Sequence, residues 1–408
     1  MAERLLVVAP HPDDESLGAA ALIAKERQRG TEVFVVLATL GDGFMEDAAR
    51  YYLSFDVKPE EYLHMGYERQ KETIRAMAEL GVDESRIYFL GFPDGGLDSL
   101  WRTHWDGEPW TSVTTGKKAV PYLTAWRPDT PYLGRRMLDL LLDVYEEVRP
   151  DRIVLPSAFD THPDHWATNA FATLAWAEMA QGRSEYRRIA RWGYLVHWPA
   201  WPFPLAYRPD LTFSMPKSLL YLGQEPSHAE PVNIEHIERK RRALMAHESQ
   251  AELIKPFMLA FCRQSEAFWQ EHLWRAQLSG GGAGVRNPVA DWRTRLVRRH
   301  HPLMAAVWGR GPDFDHVEVT VNGRLAHDSR LEICLHPVGG RRLYQWMAGP
   351  GENIPHVRYR AGTGAVQIMW PREWIGDAGL VMAGVQLYVR GKCEGKIPFR
   401  PVVWPKSG

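Results

Sequence analysis

The sequence predicts an α/β domain built on a doubly wound parallel sheet, followed by a separate all-β, sandwich-like domain. Two observations predict the first part: apolar runs at 4–9, 33–38, 87–90, 153–156 and 192–197, and helical stretches between them at 16–29, 67–80, 134–148 and 165–180. Apolar runs of this length read as buried strands, and their alternation with helices places helices on both faces of a parallel sheet. A third observation divides the chain. Ser279-Gly280-Gly281-Gly282-Ala283-Gly284 is flexible by composition, and the texture changes after it.

Gly30 and Gly81 fall where helix C-caps belong. The segment 95–132 interrupts the alternation with Gly, Pro, Thr and Trp and no clear period, and a loop that long is usually functional. Residues 233–278 read as helix, with a break expected near Lys255 because Pro256 lacks the N–H a helix needs. Beyond the linker, Val317-Glu318-Val319-Thr320-Val321 alternates into Asn322-Gly323, a hairpin signal, and runs at 331–335, 365–370 and 380–389 have sandwich-like spacing. The expected organisation is therefore a Rossmann-like domain over 1–278, a linker over 279–294 and an all-β domain over 295–408.

Chemistry concentrates at two strand ends. Ala9-Pro10-His11-Pro12-Asp13-Asp14-Glu15 follows the first strand, and Asp160-Thr161-His162-Pro163-Asp164-His165 follows the run 153–156. Open α/β sheets place their sites at such carboxyl ends. A phosphate-cradling turn would offer glycines and N–H groups, whereas these turns offer imidazoles and carboxylates. Either cluster alone reads most simply as a turn with a capping carboxylate. Two in equivalent places supply the His and carboxylate ligands of a catalytic zinc site, which leaves one position open for water.

Together these segments resemble the signatures of the PIG-L/LmbE-like family of metal-dependent de-N-acetylases, with a Pro inserted between the family's Ala and His in the first. Further matches are Thr39-Leu40-Gly41-Asp42, Arg69, Gly91-Phe92-Pro93-Asp94-Gly95-Gly96 and Ala246-His247-Glu248-Ser249-Gln250, so the likeness spans about 4–255. The resemblance implies a zinc-dependent hydrolase that removes an N-acetyl group from an N-acetylglucosamine-bearing sugar or glycoconjugate through a metal-bound water. His11, Asp14 and His165 match the metal ligands, a set that also suits ferrous iron. Asp13 is the candidate general base, its ordinary alternative being an N-cap. His162, as an imidazolium, would stabilise the oxyanion, and Arg69 and Asp94 would grip substrate hydroxyls. Asp164 and His247 are expected behind these groups, while Glu15 and Asp160 read equally well as capping carboxylates.

Other classes of function fit the sequence less well. An amidase for a thiol conjugate or natural-product intermediate would use the same residues, and a non-catalytic sugar-binding protein would not need a full ligand set with Asp13 beside it. A nucleotide-binding protein lacks its glycine motifs. A chain of 408 residues exceeds one ordinary core. A formal net charge of −1 gives no case for nucleic acid. The three cysteines, Cys262, Cys334 and Cys393, are too scattered for a disulfide framework. With no run near the ~20 apolar residues of a membrane span and no room for a signal peptide before the first strand, a cytoplasmic chain is expected. The β domain is expected to serve interdomain packing foremost, then substrate docking or homo-oligomer contacts. Among 17 tryptophans, Trp101, Trp105, Trp110 and Trp126 crowd the insertion, either pinning it to the core or stacking on sugar rings.

Overall fold

The apolar run that opens the chain becomes the middle strand of a seven-stranded sheet. The structure is a computed structural model. It describes residues 2–404 apart from 46–47, 49–51, 53–55, 214–215, 217–218, 220–227, 272, 276, 279–283, 287–302, 322–324, 326, 341–342, 350–353 and 363. Residues cluster into two units, one of Met1–Pro216 with Glu225–Glu271, the other of Lys217–Gln224 with His272–Gly408.

In the first unit β1 (Arg4–Ala9), β2 (Glu32–Thr39), β3 (Ile87–Phe92), β4 (Arg152–Pro156) and β5 (Ala190–Tyr194) run parallel in the order β3-β2-β1-β4-β5. β1 pairs with β2 on one side and β4 on the other, Val7 lying opposite both Val35 and Val154. The strand order reverses between β1 and β4, so the loops leaving these two strands are neighbours at a topological switch point. This is why two motifs some 150 residues apart meet. Among the described residues the α-helices are α1 (Asp14–Gln28), α2 (Pro59–Glu79), α3 (Leu97–Arg102), α4 (Gly134–Val148), α5 (Pro163–Gly182), α6 (Ile234–Ala246) and α7 (Glu248–Leu259).

The expected sheet is present with an extension, and two other expectations need correction. The sheet is mixed, because β6 (His228–Pro231) and β7 (Ser265–Gln270) add antiparallel strands beyond β5. The helix expected over 233–278 ends at Leu259; the open edge of β5 and the aromatic Phe268-Trp269 favour a strand beyond it. The run at 192–197 leaves the sheet after Tyr194, which carries His197 away toward the site. The break near Pro256 is present as a kink, with Ile254 at φ −124°, ψ 25°.

α1 lies against the sheet through Gly18, where a Cβ would fall 2.3 Å from the Tyr194 ring. A buried ion pair braces the same helix. Lys240 Nζ donates to Glu266 at 2.6 Å and to the Leu17 carbonyl at 2.7 Å, while the Glu266 carboxylate accepts the backbone N–H groups of Ala21 and Leu22 at 3.0 and 2.8 Å.

The second unit is all-β. One sheet has the order β10-β11-β12-β16-β15, formed by Gly284–Arg286, Leu303–Arg310, Phe314–Val321, Ala365–Pro371 and Arg358–Ala361; Gln277–Leu278 (β9) pairs with β11. The other has the order β14-β13-β17-β18-β8, formed by Tyr344–Ala348, Ser329–Pro337, Leu380–Val389, Lys392–Val403 and Trp274–Arg275. Residues of both sheets, with Trp308, Trp370 and Trp404 among the largest, share one core, as in a sandwich. The Asn322-Gly323 turn and linker residues 279–283 lie outside the described residues.

Candidate metal centre and active site

The β1–α1 loop is pinned at its start, where the Pro10 carbonyl accepts the Thr39 N–H at 2.9 Å and its hydroxyl at 3.0 Å. At the next residue, His11 Nδ1 lies 3.0 Å from Asp14 Oδ2, and that oxygen lies 3.1 Å from His165 Nε2. His165 comes from the first turn of α5, so three donor groups converge on one buried point. His165 Nε2 is fully buried and, despite its proximity to Asp14, has no well-directed hydrogen bond. A buried nitrogen left so among oxygen and nitrogen donors fits a divalent cation. His11, His162 and His165 also offer ligand atoms within 4.8 Å of one another.

A ring of carboxylates aims these imidazoles. Asp160 Oδ2 is 3.3 Å from His165 Nδ1 and accepts the N–H groups of Val196 and His197, while its Oδ1 accepts the His162 N–H at 2.9 Å. Asp160 is thus no mere cap. Its charge faces His165 Nδ1, the ring nitrogen opposite the one near Asp14, although neither nitrogen makes a well-directed hydrogen bond. Asp164 Oδ2 and Asp94 Oδ1 each lie 3.2 Å from His11 Nε2, and Asp164 also accepts the N–H groups of Gly95 and Leu97. Asp164 therefore orients His11 rather than either histidine flanking it in sequence. Asp94 also accepts the Gly43 N–H at 2.9 Å.

Burial alone would lower the proton affinity of the His11 and His165 imidazoles, but the carboxylates outweigh it. Asp94, Asp14 and Asp164 hold His11 well above its ordinary value, and Asp14 with Asp160 brings His165 up to about 9. Burial opposes ionisation of Asp14 and Asp160 too, yet the facing imidazoles hold both low.

Asp13 occupies the N-cap position of α1, but its side chain makes no capping hydrogen bond. Its backbone sits at φ +120°, a region L residues rarely adopt, held by its N–H on Glu15 Oε2 at 3.0 Å. Strain of this kind persists where surrounding contacts over-determine the geometry, commonly at active sites. Burial and the Asp14 charge push the Asp13 carboxyl up to about 7, against the pull of Arg69, whose Nη2 is 3.9 Å away. Behind it, His247 Nε2 lies 3.1 Å from both Glu15 Oε1 and Ser16 Oγ.

His162 is the N-cap of α5, its Nδ1 accepting the Asp164 N–H at 3.3 Å. Burial, with His11, His165 and His197 around it, pushes its imidazole down to about 2. The imidazolium expected from sequence is therefore replaced by a neutral ring. Arg69 is buried with Nη1 on the Gly41 carbonyl at 2.8 Å and Nη2 on the Pro12 carbonyl at 2.7 Å, so it ties together the loops after β1 and β2.

These groups open into a cavity of about 340 Å³ that Asp13, Asp14, Arg69, Asp94, His162 and His197 share with apolar Leu17, Phe44, Ile254 and Phe257. A larger, more open pocket of about 520 Å³ lies at the amino ends of the strands, where Arg152 is already paired with Glu3 and Glu26. Among the described residues, no tryptophan lines the cavity. Trp101 and Trp105 are core residues packed on Phe171. The insertion lines the cavity at Gly95, and farther along it the Tyr122 hydroxyl donates to Asp42 at 2.6 Å; burial with the Asp94 charge pushes that carboxyl up to about 7. Sequence reasoning passed over Tyr122, His197, Ile254 and Phe257. His197 had a usable signal, since it follows β5 as the two motifs follow β1 and β4.

The family model described as PIG-L, GlcNAc-PI de-N-acetylase, matches residues 6–176. A 1D-myo-inositol 2-acetamido-2-deoxy-alpha-D-glucopyranoside deacetylase from Nocardioides sp. is 28% identical over 312 residues, covering 70% of this chain and 95% of the relative. A protein of the same name from Actinosynnema mirum is 30% identical over 256 residues, covering 60% of this chain and 80% of the relative. The solved N,N'-diacetylchitobiose deacetylase from Pyrococcus horikoshii aligns with a TM-score of 0.41 at 19% identity, over 66% of this chain and 84% of its own. The chain belongs to the PIG-L family of de-N-acetylases.

Proposed function

We propose that this protein is a zinc-dependent hydrolase that removes the N-acetyl group from an N-acetylglucosamine-bearing sugar or glycoconjugate. The observation that carries this reading is the convergence of His11, Asp14 and His165 beside an Asp13 carboxyl held at about 7. The names of the relatives, all deacetylases of 2-acetamido sugars, supply the substrate class.

A divalent cation held by His11, Asp14 and His165 would polarise the amide carbonyl and acidify a water. Asp13, ionised, takes a proton from the attacking water as its oxygen bonds to the amide carbon. His162 donates Nε2–H to the oxyanion that forms, because its Nδ1 is already an acceptor. Asp13 returns the proton to the nitrogen as the C–N bond breaks, releasing acetate and the free amine. A carboxyl near neutrality suits both halves of this transfer. Asp94, at the cavity, is placed to accept substrate hydroxyls, while Arg69 holds the loops around it. We assign all of this chemistry to the domain within residues 1–278.

The test is to strip the full-length protein with chelator and restore zinc or ferrous iron. It is then offered N-acetylated sugars, oligosaccharides and thiol conjugates, with assays for acetate and free amine. Metal-dependent release from the sugars is expected. Release from thiol conjugates alone would move the substrate class, and release from none would sink the reading.

A further inference from the structure

Among the described residues, the insertion over 95–132 lines the cavity only at Gly95, yet its far end is fastened beside the site. The Leu123 N–H donates to the Tyr67 hydroxyl at 3.2 Å, the Thr124 hydroxyl to Gln70 at 2.7 Å and the Trp126 N–H to the Phe89 carbonyl at 2.7 Å. These contacts tie the segment to α2 and β3. Tyr122, at its start, is fully buried with its ring edge-on to Tyr67 at 5.0 Å. Its hydroxyl donates to Asp42 Oδ2 at 2.6 Å.

Asp42 passes this contact on. With Oδ2 on Tyr122, its Oδ1 accepts the Asp94 N–H at 3.4 Å, and Asp94 Oδ2 in return accepts the Gly43 N–H at 2.9 Å. The loops after β2 and β3 therefore hold each other, each lending a carboxylate to the other's backbone. Gly43 and Asp94 line the cavity, whereas Tyr122 and Asp42 stand behind them. Tyr122 and Asp42 are 0% and 1% exposed, so solvent does not stand ready to replace a bond lost between them. A carboxylate that meets substrate hydroxyls is effective only in a narrow range of orientation, and the groups behind it set that range.

We infer that Tyr122 and Asp42 are positioning residues that aim the Asp94 carboxylate at the substrate. The inference rests on the function proposed above, in which Asp94 accepts substrate hydroxyls. The insertion then governs substrate affinity through one buried hydroxyl that touches neither substrate nor metal ligand. Asp94 grips the sugar and takes no part in breaking the C–N bond, so its loss of aim falls on binding rather than on the chemical step.

The experiment measures KM and kcat of the zinc-loaded full chain on methyl N-acetylglucosaminide. Y122F, which keeps the packed ring and removes the donor, should raise KM about three- to tenfold, the scale of one hydrogen bond, with kcat within about twofold of wild type and metal content unchanged. D42N should act likewise, because its single amide oxygen cannot serve both Tyr122 and the Asp94 N–H. The control is Y132F, which removes another buried hydroxyl of the insertion, the one donating to the Gly91 carbonyl at 3.4 Å, and should leave KM unchanged. In a D94A background Y122F should shift KM no further. Amide exchange, resolved by NMR, reads the same linkage without ligand: the Asp94 and Gly43 N–H groups should exchange about three- to tenfold faster in Y122F and at the wild-type rate in Y132F. Faster exchange in a chain that hydrolyses no N-acetylated sugar would overturn the proposed reaction and leave the positioning standing. Unchanged exchange in Y122F, a KM that moves as much in Y132F, or an effect of Y122F that persists without Asp94 would overturn the positioning.

Discussion

His162 Nδ1 accepts the backbone N–H of Asp164 at 3.3 Å, which places the proton of the neutral ring on Nε2. One contact therefore closes the first turn of α5 and selects the tautomer that can donate to an oxyanion. H162A should retain metal and lose on the order of 10²–10³ in kcat, the usual loss for one oxyanion donor. It should also cost about 1 kcal/mol of stability through the vacated cap. H162N, able to cap but too short to reach, should recover the stability and not the rate. Loss of metal in either variant would make His162 a ligand.

A carboxyl held at about 7 predicts a pH profile. Asp13 works as a base only when ionised, so kcat/KM should rise with pH through about 7 and level off above it. D13N should retain metal, fall by about 10²–10⁴ and lose this limb. A limb that persists in D13N belongs to another group.

Metal uptake should release protons. His11 and His165 are both held protonated by neighbouring carboxylates at neutral pH, and each must surrender a ring proton to ligate. Calorimetry at pH 7 in buffers of different ionisation enthalpy should give about two protons released per zinc, with affinity rising toward pH 9. D160A, which frees the His165 ring, should weaken zinc about 10–100-fold in competition with a chelator.

Asp42 offers a stability test independent of turnover. Burial and the Asp94 charge raise its folded-state value to about 7, well above that of an unfolded Asp. The native state then binds the extra proton between about pH 4 and 7, so wild type loses stability as pH rises through that window. Asn titrates nowhere in it and still accepts from Tyr122. In metal-free protein the Tm of D42N minus that of wild type should increase from pH 5 to pH 8; an unchanged difference would show that Asp42 ionises normally.

The parallel strands and the meeting of the two His/Asp motifs were legible because they rest on local pattern: apolar runs, turns and residue types at strand ends. What sequence misjudged depended on tertiary surroundings. His162 was expected as an imidazolium that stabilises the oxyanion, but burial and three neighbouring imidazoles keep the ring neutral. Ser265–Gln270 became a strand only because β5 had an open edge. Tyr122 reaches Asp42 through the space above Gly66, where a Cβ would meet its hydroxyl at 2.3 Å, a relationship between distant positions that no local pattern records.

The strut from Lys240 and Glu266 to α1 sets where the catalytic module ends. A fragment stopping at residue 176, the limit of the family match, would contain His11, Asp13, Asp14, His162 and His165. It would lack the carboxylate that holds Ala21 and Leu22 and the ammonium that holds the Leu17 carbonyl, one turn from Asp14. The smallest active piece must therefore reach past Glu266, and transplanting the two signature loops onto another parallel sheet would carry over the ligands without their aim.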